Sequence, residues 1–125
     1  SIKPEFKYSS DTRFDFLCDK NLIEVKNVTL NREKETAEFP DAITSRGSKH
    51  LLNLKESMKK GYKPYVLFLT QIQGIKNFKI ARDIDEKYYE NYHLAKKHGV
   101  NFIAYRCYLS NKEIKIEKKI NIIDE

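Results

Sequence analysis

A chain of 125 residues, 34% charged yet 40% hydrophobic and carrying eight tyrosines and seven phenylalanines, has apolar material for one core and too much of it for a disordered tail. No apolar run approaches the roughly 20 residues of a membrane helix and no signal-peptide pattern opens the chain, so a cytoplasmic protein without membrane association is expected. The formal charge of +6 is concentrated in residues 43–64, where Arg46, Lys49, Lys55, Lys59, Lys60 and Lys63 face one acid, Glu56.

Such a basic stripe suits a polyanionic partner, and a merely solvated basic helix equally well. Cys18 and Cys107 lie far apart, each in an apolar run and without zinc-ligand spacing. They read as two buried free thiols.

The chain starts SIKPEFKYSS, where Phe6 and Tyr8 alternate with polar neighbours as in a strand. The lack of an initiating Met fits a processed chain or a fragment. Residues 13–30, RFDFLCDKNLIEVKNVTL, read as two strands joined by a polar turn around Asp19, Lys20 and Asn21. With the first segment they predict a three-stranded antiparallel meander.

Three charges interrupt this otherwise apolar hairpin: Asp15, Glu24 and Lys26. Residues two apart in a strand share a face, so Glu24 and Lys26 point the same way. A turn with an even number of residues places Asp15 opposite Glu24. Facing carboxylates repel and are costly to desolvate unless a cation sits between them. The trio is therefore a candidate Mg²⁺ (or Mn²⁺) site, with Asp15 and Glu24 as ligands and Lys26 alongside. One charged face of a half-solvated strand accounts for the same residues without chemistry.

Residues 31–38 are polar and read as a loop or a short hairpin extension. Pro40 disfavours helix before it, and Asp41, Thr44 or Ser45 can cap the helix that follows. Gly47, Leu51, Leu54 and Met58 recur at helical spacing, and Gly61 closes the element. Arg46, Lys49 and His50 cluster near its amino end, where the dipole favours phosphate, and are the expected nucleic-acid contacts. For His50 alone, a partly exposed helical histidine with no role is the simpler reading.

YVLFLT, residues 65–70, is a continuous apolar run expected to be a central strand buried on both faces. Gln71 at its end and Asp41 ahead of the helix are the further positions assigned to a pocket. Residues 72–83 read as a loop. A second helix opens at Ile84-Asp85-Glu86, packs through Tyr88, Tyr92 and Ala95, and stops at Gly99. NFIAYRCYL, residues 101–109, is another strand, and a right-handed crossover makes it the parallel neighbour of the first. Residues 111–125 carry little information beyond a short edge strand at Ile114 and Ile116. The division is thus a domain over 1–110 and a tail over 111–125.

Meander, helix, strand, helix, strand, with Asp15, Glu24 and Lys26 on the meander, resembles the core of the PD-(D/E)XK nuclease superfamily. Four stretches are more specific: TRFDFL (residues 12–17), IEVKNVTL (23–30), FPDAITSRGSKHL (39–51) and GVNFIAYRC (99–107). Together they closely resemble the carboxyl-terminal domain of the sugar fermentation stimulation protein A family of bacteria and archaea. That resemblance implies an α/β fold with a restriction-endonuclease-like mixed sheet. It also implies DNA as the partner, and Asp15 and Glu24 holding Mg²⁺ or Mn²⁺ with Lys26 beside them at a phosphodiester-cleaving site. The alternative it leaves open is a non-catalytic DNA-binding regulator of sugar (maltose) metabolism, and RNA suits the basic helix equally. Association into a homodimer is compatible with either. The family's amino-terminal OB-like domain, and the helix leading into the meander, are expected to be absent from this chain.

Overall fold

The computed structural model of the protein describes residues 1–110 and 113–125. Three antiparallel strands open it: β1 (Ile2–Lys7), β2 (Arg13–Cys18) and β3 (Asn21–Val28). Cys18 pairs with Asn21, so the turn is the two residues Asp19 and Lys20, and Asp19 adopts a positive φ of 55°. Asp tolerates that left-handed conformation better than most residues. The expected meander is present, with the expected even-numbered turn.

The polar segment after it forms a second hairpin, β4 (Leu30–Glu33) and β5 (Thr36–Phe39). Helix α1 (Ser45–Ser57) follows, with Thr44 as its N-cap accepting from Gly47 N–H. Leu51 and Leu54 are buried in the core, Met58 packs partly buried against it, and a 3₁₀ turn over Met58–Lys60 ends at Gly61 in the left-handed region. Strand β6 (Lys63–Thr70) pairs in parallel with β3, placing Glu24 beside Val66 and Lys26 beside Phe68. Helix α2 (Glu86–His98) is capped by Asp85 and ends at Gly99, also left-handed. Asp85 also accepts from the backbone N–H of Thr44, so one carboxylate ties the starts of both helices together. Strand β8 (Asn101–Leu109) is parallel to β6, the pairing expected across the intervening helix.

Two strands depart from expectation. Residues 72–83 contain β7 (Asn77–Ile80), parallel to β5. The tail holds β9 (Ile114–Ile122), antiparallel to β8 and parallel to β7. The sheet order is β1-β2-β3-β6-β8-β9-β7-β5-β4, which makes β9 an interior strand and not the expected edge. It belongs to the same sheet as residues 1–110. Asn111 and Lys112 lie outside the described residues.

Helices α1 and α2 pack on one face of the sheet. Tyr88 and Tyr92, both fully buried, reach Phe39 and Phe102, while Phe68 stacks on Phe78 with ring centroids 4.3 Å apart. On β6, Val66 and Phe68 are buried against them, but Tyr65, Leu67 and Leu69 on the other face are only half-buried. The expectation of burial on both faces therefore holds for one face, because no helix among the described residues covers the second. Both cysteines are free; Cys107 is buried and Cys18 half-buried.

Candidate active site

The paired ladder of β2 and β3 runs from Cys18–Asn21 to Phe16–Ile23. Two residues further along β3, Val25 N–H donates to Oδ2 of Asp15 at 2.6 Å. Phe14 and Leu17, three apart, are both buried, so β2 departs from simple alternation around Asp15 and turns that carboxyl toward β3. Continuing the register places Asp15 opposite Glu24. The two carboxyls are near enough for each to shift the other's titration. Lys26 Nζ lies 4.0 Å from Glu24 Oε2 on the same face and keeps 20% of its side chain exposed.

Glu24 is buried at 5% exposure, and Nδ1 of His50 lies 2.6 Å from its Oε2. His50 is itself 5% exposed, wedged edge-on against Phe14 with ring centroids 5.4 Å apart. The partly exposed histidine of the simpler reading is therefore an interior group. It faces a carboxylate and does not lie along the outer surface. Its helix is fixed in rotation by Asn53, which donates to Thr12 Oγ1, and by Asn91 of α2, which donates to the carbonyl of Ser48.

These neighbours separate the two acids. Burial first, then the neighbouring Glu24 carboxylate, push the Asp15 carboxyl up to about 6. Burial also drives Glu24 upward, but His50, Asp15 and Lys26 outweigh it and hold Glu24 below the usual range. One acid is thus ready to ionise near neutrality beside one already ionised, an arrangement a cation would relieve.

Asp15, Glu24, Lys26, Arg46 and His50 border one open concavity of about 360 Å³, with Glu5, Arg13, Phe14 and Val25. Arg13 escaped the sequence reading although it lies two residues before Asp15; Glu5, on the edge strand, gave no signal. Lys49 lies outside this lining, exposed and paired with Asp11 at 2.6 Å. That pairing holds Asp11 down to about 2. Gln71 lines a different concavity with Arg106 and Lys115, and Asp41 is exposed and lines none of those described. Neither joins the carboxylate pair.

Three larger concavities, of about 450, 660 and 690 Å³, lie elsewhere among the described residues. Several of the charges lining the two largest are matched within the protein, as in Arg32 with Glu38 and Asp83, and Arg106 with Glu117. Size therefore does not locate the chemistry. Among the described residues, no set of three or more His, Cys, Asp and Glu side chains forms a ready-made metal cage. A converging carboxylate pair nevertheless fits Mg²⁺, which keeps several waters and takes phosphate oxygens as further ligands.

The family model described as the sugar fermentation stimulation protein RE domain matches residues 1–113. The chain belongs to the sugar fermentation stimulation protein family. A homolog of this family from Pelagibacter ubique is 65% identical over 128 residues, covering 99% of this chain and 55% of that protein. One from Aliivibrio fischeri (strain MJ11) is 41% identical over 125 residues, covering 95% and 53%. The chain spans about half the length of the curated relatives it matches. Among solved structures, Pyrococcus furiosus SfsA in complex with Ca²⁺ superposes with a TM-score of 0.84 at 26% identity, over 97% of this chain and 54% of that one. Membership in the sugar fermentation stimulation family covers nearly all of the sheet, with Asp15, Glu24, Lys26 and His50 inside the matched span. No helix among the described residues is long and apolar enough to cross a membrane.

Proposed function

We propose that this member of the sugar fermentation stimulation family binds DNA and cleaves its phosphodiester bonds with Mg²⁺ or Mn²⁺, on a restriction-endonuclease-like sheet of the PD-(D/E)XK type. One observation carries the reading: Asp15, Glu24 and Lys26, from two adjacent strands, converge on a single open concavity. The Ca²⁺ complex of the Pyrococcus furiosus relative adds support, since Ca²⁺ shares the preference of Mg²⁺ for hard oxygen ligands.

Asp15 and Glu24 would hold the ion. When bound, it supplies charge that polarises the phosphate and lowers the pKa of water. The Lys26 ammonium faces the same space and stabilises negative charge developing on the phosphoryl oxygens. Arg46, at the amino end of α1, grips a flanking phosphate from the rim, where the helix dipole adds to its charge. Lys49, exposed one turn further along α1, extends that contact once it leaves Asp11. His50 is too buried to share this surface role.

Incubation of supercoiled plasmid with the protein and Mg²⁺ or Mn²⁺ tests the proposal. The expected result is metal-dependent nicking, reduced on the order of 100-fold in Lys26→Ala, the scale on which losing one charge-stabilising group acts. DNA bound but left intact by the wild type under both ions would replace this reading with that of a non-catalytic regulator.

A further inference from the structure

Glu24 could turn about several bonds, yet in this structure its carboxylate has one dominant partner on the helix side. His50 approaches Oε2 at 2.6 Å through Nδ1, both groups are 5% exposed, and the ring is braced by Phe14. An ionised carboxylate only accepts hydrogen bonds, so Nδ1 carries the proton and the contact is a charge-assisted donation. The helix presenting His50 is locked by Asn53 to Thr12 at 3.0 Å and by Asn91 to the Ser48 carbonyl at 3.1 Å. A donor held so firmly on one oxygen restricts where the carboxylate can swing. Lys26, at 4.0 Å and partly exposed, exerts no comparable constraint.

We propose that His50 is a positioning residue for Glu24: its Nδ1–H fixes Oε2 and thereby aims the rest of the carboxylate at Asp15 and at a divalent cation shared with it. This rests on the metal-binding reading of the site. It assigns His50 to the ligand and not to the nucleic acid, and it makes α1 a support of the metal site as well as a source of basic charge. Partners that orient a ligand in this way commonly set metal affinity by about 10–100-fold.

Calorimetric titration of Mn²⁺ into the whole chain, without DNA, tests it. The side-chain amide nitrogen of Asn can stand near the place of the imidazole Nδ1, whereas Phe keeps the ring and its packing but has no donor. His50→Phe should bind Mn²⁺ roughly 10-fold or more weakly than wild type, and His50→Asn should recover most of that loss. Equal affinity in wild type and His50→Phe overturns the inference while leaving the metal site standing. Equal losses in His50→Phe and His50→Asn also overturn it, because packing alone would then account for the effect. If the wild type binds no Mn²⁺, the metal reading fails and this inference with it.

Should His50→Phe not fold, proton NMR of the wild type decides. A His50 Nδ1 proton protected from exchange, moved by Mg²⁺ and lost in Glu24→Gln, supports the role. Its absence in a folded wild type overturns it.

Discussion

Among the described residues two glutamates are buried, and they are served in opposite ways. Glu38, on β5, is 2% exposed and has both oxygens engaged by one cation: Arg32 Nε donates to Oε2 at 3.0 Å and Nη2 to Oε1 at 2.8 Å. The same guanidinium reaches Asp83 with contacts of 2.7 and 2.8 Å. A planar fork against a planar acid closes this cluster on itself. Glu24, on β3, has a histidine on one oxygen, an amine no nearer than 4.0 Å and a second acid beside it. The first arrangement completes a structure. The second remains electrostatically open, and openness is what a site for a cation and a phosphate requires.

The contrast is broken most severely through activity. Glu24→Gln keeps the shape of the side chain but removes its charge, and plasmid nicking should fall on the order of 100-fold or more. Glu38→Gln should leave nicking by the folded protein unchanged, and equivalent losses in both variants would erase the distinction. In stability the order reverses. Glu38→Gln weakens a buried hydrogen-bonded ion pair and should lower the unfolding free energy by about 2 kcal/mol, measured by urea denaturation at neutral pH.

Asp15→Asn should act in the opposite direction. The Asp15 carboxyl, raised from 3.8 in the unfolded chain to about 6, binds its proton more tightly when folded. Its cost is therefore absent below about pH 4, grows as pH rises through 6 and is complete above it. Asn keeps an oxygen for Val25 N–H and removes the charge. The metal-free variant should be more stable than wild type by about 1 kcal/mol at pH 8, a figure reduced for the solvent that screens this half-exposed group, and equal to it at pH 4. A stability difference that did not change with pH would show that Asp15 and Glu24 do not interact as described. The smallest effect is expected at the rim. Lys49→Ala should flatten the log–log salt dependence of duplex DNA binding by about 0.9, and an unchanged slope would remove Lys49 from the interface.

The parts legible in the sequence were those governed by local rules. The even-numbered turn between β2 and β3, a cap for α1 among Asp41, Thr44 and Ser45, the opening of α2 at Ile84-Asp85-Glu86, the closing glycines at 61 and 99, and the parallel pairing of β6 with β8 all follow from spacing and backbone chemistry. The family followed from four longer stretches and is borne out by the match over residues 1–113. What escaped depends on distant partners. Strand β7 is four residues long, and its Phe78 is explained by stacking on Phe68, ten positions earlier and on another strand. Strand β9 alternates isoleucine with charge and resembles an exposed edge until β7 pairs along its other side.

At the site, the adjacency of Asp15, Glu24 and Lys26 was readable from strand periodicity. The burial of His50 was not, because a polar residue beside the apolar stripe of a helix gives no sign that an acid waits opposite it. Glu38 was hidden for the same reason: an acid in a polar segment reads as loop unless its arginine is seen to fold over it.

Val25 N–H is anchored to the oxygen of Asp15, so an event at that acid is transmitted directly into the backbone of the sheet. Gain or loss of a proton there alters the strength of a hydrogen bond from an amide whose spectral line can be followed on its own. The protein thus carries its own gauge of the state of Asp15, with no turnover to wait for.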